Sequence, residues 1–218
     1  MSSINQYFTF NYSQPSDYHF SHDSIFLARR VFELTSPKQI PLLKALDICS
    51  GCGIIGLDFI FHAQKEFGLA PLSMDFMEVQ NIYESHFKTN QKRLGPTTTE
   101  LHYISNNYNL LSEEKFKNQY NLILCNPPYF FPTKGVLSPS EFKNRCRFYI
   151  DSTFSQLLLG ITNTLYQNGK AFLLLRDLPE HRWSAIDEAQ NILRGRLKLD
   201  RIGDIRGTHL ICLTKDSI

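Results

Sequence analysis

The chain has 218 residues and 42% hydrophobic content, enough to bury the core of one domain of ordinary or slightly large size and too little for two full ones. A formal charge of +2 is weakly basic, so any nucleic-acid contact must rest on local patches and not on a strong overall field. Five cysteines are an odd number in a chain too long to need staples, and no apolar run of signal or membrane length opens the sequence. This combination argues against a disulfide scaffold and predicts a reduced, cytoplasmic protein with no membrane partner.

In chain order, the first forty residues are aromatic and polar, with YFTFNYSQPSDYHFSHDS at 7–24. A helix is expected from Asp23 or Ser24 through Glu33, because Ile25, Leu27, Ala28, Val31 and Phe32 recur at helical spacing and either polar residue suits an N-cap. From Lys44 onward, short apolar runs alternate with longer amphipathic ones. Strands are expected at 44–48, 73–79, 101–104, 121–125 and 170–175, with a last pair at 197–204 and 209–214. Helices are expected at 54–67, 80–94, 154–165 and 179–194. The alternation predicts an α/β fold: a mainly parallel sheet of seven strands with helices on both faces.

The first turn after a strand reads LDICSGCGIIG, Leu46 to Gly56. Gly51 and Gly53 allow the backbone to approach a ligand closely, and Gly56 allows tight packing of helix on sheet. Glu78 closes the next strand, 25 residues after Gly53, where a carboxylate can accept hydrogen bonds from ribose hydroxyls. A dinucleotide would place its pyrophosphate at this helix start. Asp47 opposes that, because a carboxylate repels phosphate and suits a ligand bearing an ammonium, such as the amino-acid end of S-adenosylmethionine. Cys49-Ser50-Gly51-Cys52 also matches the redox C-x-x-C pattern, but a thioredoxin-like protein explains neither Gly53, Gly56 nor Glu78. No second pair of ligands follows at zinc-finger spacing, and the seven histidines show no metal-ligand pattern, so no metal is expected.

The second signal is NLILCNPPYFFP, Asn121 to Pro132. An apolar strand runs into Pro127 and Pro128, which cannot extend a ladder, so the chain leaves at a carboxyl strand end, where open α/β sheets bind ligands. The prolines remove donors and keep carbonyls. A flat group with two N–H bonds would find one acceptor in the Asn126 side chain and another in the Pro127 carbonyl. Tyr129, Phe130 and Phe131 offer stacking faces, Phe131 serving equally as core, and Lys134, Lys143, Arg145 and Arg147 follow as candidate phosphate contacts. An ordinary strand-ending turn has the same punctuation. Trp183 lies in the expected last helix and suits packing better than base stacking.

These stretches resemble the Rossmann-like class I S-adenosylmethionine methyltransferases with an N-P-P-Y signature, most of all the bacterial tRNA adenine-N6 methyltransferases that modify valine tRNA. The resemblance covers nearly the whole chain. It implies an N-terminal cofactor-capping segment at 1–40 on a methyltransferase domain at 41–218, one domain overall, with an antiparallel C-terminal strand pair. It implies cofactor contacts at Tyr18, Phe20, Ser24, Asp47, Cys49, Gly51, Gly53, Glu78, Val79, Asn106, Asn107 and Asn126. The catalytic signature is Asn126, Pro127, Pro128 and Tyr129, with substrate held by Tyr129, Phe130, Phe131, Lys134, Arg145 and Arg147. Relatives often carry an aspartate after the third strand where this chain has Ser105-Asn106-Asn107, and an amide oxygen can accept the same bond.

The implied activity is methyl transfer to adenine N6 in tRNA by a monomer. Protein glutamine N5-methyltransferases share the signature but usually add a helical domain before the catalytic one, and about forty residues precede the first strand here. A DNA adenine methyltransferase would usually need a target-recognition domain. A non-catalytic module retaining the fold is the remaining alternative.

Overall fold

A computed structural model of the protein describes residues 11–19 and 21–216. Phe20 and the first ten residues of the expected capping segment lie outside the described residues. The contacts divide the chain into two compact units, 1–106 and 107–218.

The first unit contains α1 (His22–Leu34), β1 (Lys44–Ile48), α2 (Ile54–Phe67), β2 (Ser73–Glu78), α3 (Ile82–Leu94) and β3 (Glu100–Ser105). The three strands are parallel in the order β3-β2-β1, with Asp47 opposite Phe76 and Glu78 opposite Ser105. Ala45, Leu46, Ile48, Met74, Phe76 and Met77 are buried, as strands covered on both faces require. Helix α1 packs on α2, placing Leu27, Val31 and Phe32 in this core. Ser21 stands at the N-cap of α1, so the helix begins before Asp23 and Ser24, and Ser24 is buried in its first turn. Strand β2 stops at Glu78 and α3 begins only at Ile82, which leaves Val79, Gln80 and Asn81 as a turn where the sequence predicts unbroken strand and helix.

The second unit contains β4 (Tyr120–Cys125), α4 (Glu141–Arg147), α5 (Phe154–Thr164), β5 (Leu165–Leu175), α6 (Ala185–Leu193), β6 (Lys198–Ile205) and β7 (Thr208–Thr214). Here β4 and β5 are parallel, while β7 runs antiparallel to both β5 and β6, in the order β4-β5-β7-β6. With three strands in the first unit, the described residues hold the seven strands and the antiparallel C-terminal pair that the sequence predicts. Strand β5 starts five residues early because Leu165 pairs with Tyr120 before the register shifts and Lys170 meets Leu122.

Two helices differ from expectation. Helix α4 falls where the sequence pattern predicts no helix; Ser140 caps it by accepting from the Lys143 N–H, and Glu141 opens it. The predicted helix at 179–194 starts only at Ala185. Pro179–His181 forms a single 3₁₀ turn, Arg182 is left-handed at φ 49°, and Leu178 and Trp183 bridge, so Ser184 becomes the cap.

Candidate functional site

In the first unit, β1 ends in a turn that reverses through left-handed residues: Cys49 at φ 57°, Gly51 at 54° and Gly53 at 83°. Side chains there are strained for any residue but glycine, asparagine or aspartate, which explains two glycines and marks Cys49 as unusual. Gly53 is also required by packing, because a Cβ there would lie 2.7 Å from the Phe87 ring. Gly53, expected to allow close approach of a ligand, thus also makes room for a helix side chain. Gly56 meets Phe76 of β2 in the same way, at 2.5 Å, as expected of a helix-on-sheet contact.

Two carboxylates converge on this turn. Glu78, 7% exposed, accepts from the Gly51 N–H at 3.0 Å and the Gln80 N–H at 2.9 Å. Asp47 is fully buried; its Oδ2 accepts from the Gly56 N–H at 2.9 Å, while its Oδ1 meets no partner among the described residues. Burial pushes the Asp47 carboxyl up to about 8; the Gly56 N–H pulls the other way and the Glu78 charge adds to the rise. The buried Ser50 hydroxyl also lacks a partner among the described residues. A turn with a buried unmatched carboxylate oxygen, an unmatched hydroxyl and a second carboxylate at the neighbouring strand end fits a ligand that brings an ammonium and hydroxyls.

Cys52 does not suit redox chemistry. It is 2% exposed, and burial pushes its thiol up to about 12, so it lacks the thiolate character an attacking cysteine needs. Cys49 is half-buried, and both are free thiols. Among the described residues no group of three or more His, Cys, Asp or Glu is placed to hold a metal. None of their helices is long and apolar enough to cross a membrane.

The remaining expected cofactor residues described in this unit differ in exposure. Tyr18 is half-buried in the segment before α1, Val79 is half-buried after β2, and Asn106 is exposed after β3 with its N–H donating to Glu78 O at 3.0 Å.

In the second unit, β4 ends at Cys125 and releases Asn126-Pro127-Pro128-Tyr129. The loop is pinned by the chain beyond α4: the N–H groups of Tyr129 and Phe130 both donate to Arg147 O, at 3.1 and 3.0 Å, and Tyr149 N–H donates to Phe130 O at 2.8 Å. Phe130 and Phe148 form an isolated parallel bridge. The Tyr129 hydroxyl donates to Asn126 Oδ1 at 2.5 Å, so this ring fixes the Asn126 amide in addition to offering a face.

Phe131 packs on Tyr149 at 5.4 Å and edge-on against Trp183 at 4.8 Å, which assigns both Phe131 and Trp183 to an aromatic cluster with Phe154. The loop carrying Trp183 is fixed by Asp177, which accepts from Ala185 N–H at 2.7 Å and faces His209 Nε2 at 3.0 Å.

The expected phosphate contacts separate. Arg147 is exposed, 5.4 Å from the Phe130 ring centroid. Arg145 instead makes a two-pronged ion pair with Asp151, at 2.8 to 3.1 Å, and so braces the segment after α4. Lys134 closes the 3₁₀ turn Pro132–Lys134.

Asn107, an expected cofactor contact, is engaged locally. Its Oδ1 accepts from Asn109 N–H at 2.9 Å and from the Ser152 hydroxyl, and its Nδ2 donates to Asp151 O at 2.8 Å. These bonds cap the turn Tyr108–Ser112 and tie it to the chain before α5. Asn144, which has no expected role, is buried and exchanges two bonds with Ser138, Oδ1 accepting at 2.8 Å and Nδ2 donating at 2.7 Å. A polar residue one helical turn after a serine cap was the available signal.

No protein-family model matches the chain. It resembles proteins named tRNA1(Val) (adenine(37)-N6)-methyltransferase: one from Shewanella putrefaciens is 25% identical over 83% of this chain and 70% of its own, and one from Photobacterium profundum is 27% identical over 80% and 66%. A Bacteroides fragilis relative of the same name is 25% identical over 58% of this chain, and the match spans about half of that protein, 49%.

Among solved structures, the ribosomal protein L11 methylase of Lactobacillus delbrueckii superposes with a TM-score of 0.58 over 90% of this chain and 81% of its own, at 14% identity. TrmN from Thermus thermophilus does so at 0.57 over 88% and 48%, at 18% identity. These likenesses show that the chain has a methyltransferase fold.

Proposed function

We propose that the protein is an S-adenosylmethionine-dependent methyltransferase acting on an exocyclic amine, the N6 of an adenine in tRNA. The observation that carries this reading is the Asn126 loop, a neutral acceptor site at a strand end, stiffened by two prolines and held in place by Arg147 and Tyr149. The names of the relatives support tRNA as the substrate class.

The turn after β1 suits the cofactor. Asp47 Oδ1 would receive its ammonium, and Glu78, held at the end of β2 by two backbone N–H groups, would accept from its ribose hydroxyls. When bound, the cofactor supplies a methyl group on an electron-poor sulfonium.

The chain's own residues act on the acceptor. The lone pair of an adenine amine is delocalised into the ring. Asn126 Oδ1 and the Pro127 carbonyl would each take one amine hydrogen, which turns the lone pair out of the ring and stabilises the positive charge developing on nitrogen. The Tyr129 hydroxyl keeps the Asn126 oxygen, and not its NH₂, in the accepting position. No strong general base is needed, because the methylated ammonium is acidic and releases its proton to water. Acceleration then comes largely from alignment. A paired base cannot present its amine in this way, so the substrate adenine must be unpaired or flipped.

The test is nucleoside mass spectrometry. Purified protein with S-adenosylmethionine should produce N6-methyladenosine in tRNA from cells lacking the gene. Methylation of a release-factor peptide with none of tRNA would move the assignment to glutamine, and no transfer to either would refute the reading.

A further inference from the structure

Residues 11–13 are tied to the first unit by side chains from both helices that flank the glycine-rich turn. Tyr12 is buried, and its hydroxyl donates to Asp58 Oδ1 at 3.2 Å and reaches Ile54 O at 3.3 Å, at the start of α2. On α3, Arg93 donates to Asn11 O, and His86 Nδ1 lies 2.8 Å from the Ser13 hydroxyl.

Between them stands Asn90, 0% exposed. Its Oδ1 accepts from the Ser13 N–H at 2.6 Å, and its Nδ2 donates to Ser13 O at 2.9 Å and Cys52 O at 3.0 Å.

Asn90 therefore pairs with residue 13 as a neighbouring strand would and uses its second amide hydrogen on the glycine-rich turn. A fully buried amide is costly unless each hydrogen finds an acceptor, and here both acceptors are backbone carbonyls of segments far apart in sequence. Cys52 belongs to the turn whose Gly51 N–H holds Glu78. One side chain thus joins the strap 11–13 to the backbone that frames Asp47 and Glu78, although Asn90 itself lies in the last part of α3.

We propose that Asn90 is a positioning residue for the cofactor site: it couples docking of the strap at residues 11–13 to the conformation of the glycine-rich turn that receives S-adenosylmethionine. The proposal rests on the reading of that turn as the cofactor site. Coupling of this kind is reciprocal, so cofactor must tighten the strap as much as the strap tightens cofactor. The family resemblance implies that the N-terminal segment covers the cofactor through Tyr18, Phe20 and Ser24; the coupling through Asn90 acts on the turn itself and needs no contact between strap and ligand.

The experiment uses the full chain and S-adenosylhomocysteine as the probe. Calorimetry compares wild type with Asn90→Ala, with Asn90→Asp, which keeps an acceptor for Ser13 and loses both donors, and with Phe32→Leu, a core change on α1 away from the turn. Both Asn90 variants should bind about tenfold more weakly, with Phe32→Leu close to wild type at equal loss of melting temperature. In wild type alone, ligand should slow hydrogen exchange at the Ser13 amide.

Equal Ser13 exchange with and without bound ligand overturns the coupling whether or not the variants fold. Asn90→Ala binding within about twofold of wild type overturns it also. So does an equal loss in Phe32→Leu, which would make the effect one of general stability. Wild type that fails to bind S-adenosylhomocysteine at all would instead refute the cofactor reading, and the coupling with it.

Discussion

The turns after β1 and β4 both leave parallel strands at their carboxyl ends, but they are built from opposite materials. The first concentrates carboxyl groups: Asp47 and Glu78 are buried, and backbone N–H groups of Gly51, Gly56 and Gln80 converge on them. The second has no ionised group in Asn126-Pro127-Pro128-Tyr129, and its stiffness comes from prolines and from backbone bonds to Arg147 and Tyr149. The difference matches what each would have to do. Buried carboxylates suit a ligand that arrives charged and must be held. Neutral carbonyl acceptors suit a group that is uncharged on arrival and becomes positive only as it reacts, because their fixed dipoles interact most strongly once that charge has developed.

The sharpest way to break this contrast is to remove the acceptor. Asn126→Ala should lower methyl transfer by on the order of a hundredfold while leaving S-adenosylmethionine bound within about tenfold. Single-turnover rates and calorimetry on the same preparation decide it. Equal losses in binding and rate would show that Asn126 holds cofactor and not acceptor.

The mirror experiment acts on the charged turn. Glu78→Ala should weaken S-adenosylmethionine binding by about 1–3 kcal/mol, because ribose hydroxyls lose a charged acceptor and the Gly51 and Gln80 N–H groups lose theirs. The methyl-transfer rate at saturating cofactor should change much less. Unchanged affinity by calorimetry would remove Glu78 from the ribose site.

Both turns were legible because their chemistry is local. A glycine-rich stretch after an apolar strand, an acid closing the next strand and a proline pair ending another are each written in fewer than a dozen consecutive residues. What escaped was set by distant partners. Helix α6 starts late because Leu178 bridges Trp183 and Arg182 turns left-handed, and nothing in the amphipathic pattern of 179–194 reports a bridge. Arg145 reads as a loop cation until Asp151 folds back onto it. Asn107 is expected to contact the cofactor, yet its amide bonds with Asn109, Asp151 and Ser152. Asn90 carries no sequence signal at all, since its partners are backbone groups 38 and 77 residues away.

The charged turn makes a pH prediction that the neutral loop does not. Asp47 has its folded pKa raised to about 8 from 3.8, so the folded ligand-free protein holds a proton that the unfolded chain releases in that window. Its contribution to stability is therefore greatest below pH ~4 and is lost as pH rises toward ~8. Asp47→Asn keeps an acceptor for the Gly56 N–H and removes the charge. Its melting temperature should match wild type in acid and exceed it by about 2–6 °C at pH ~8.5, with weaker cofactor binding at that pH. A difference that does not grow with pH would mean that Asp47 is ionised and matched in the ligand-free protein.

The smallest expected effect separates the two arginines that flank the neutral loop. Arg147 is exposed over the Phe130 ring, whereas Arg145 is two-thirds or more covered and paired with Asp151. If Arg147 holds a tRNA phosphate, Arg147→Gln should reduce the slope of log affinity against log salt by about one unit and leave melting unchanged. Arg145→Gln should do the reverse, because it leaves Asp151 without its partner beside the chain that pins Tyr129 and Phe130, lowering the melting temperature by about 2–4 °C with the salt slope intact. Filter binding of unmodified tRNA at graded salt reads the slope, and thermal melting reads the rest. A slope loss in Arg145→Gln would show that the ion pair opens to meet RNA, and that the loop's brace is also part of its binding surface.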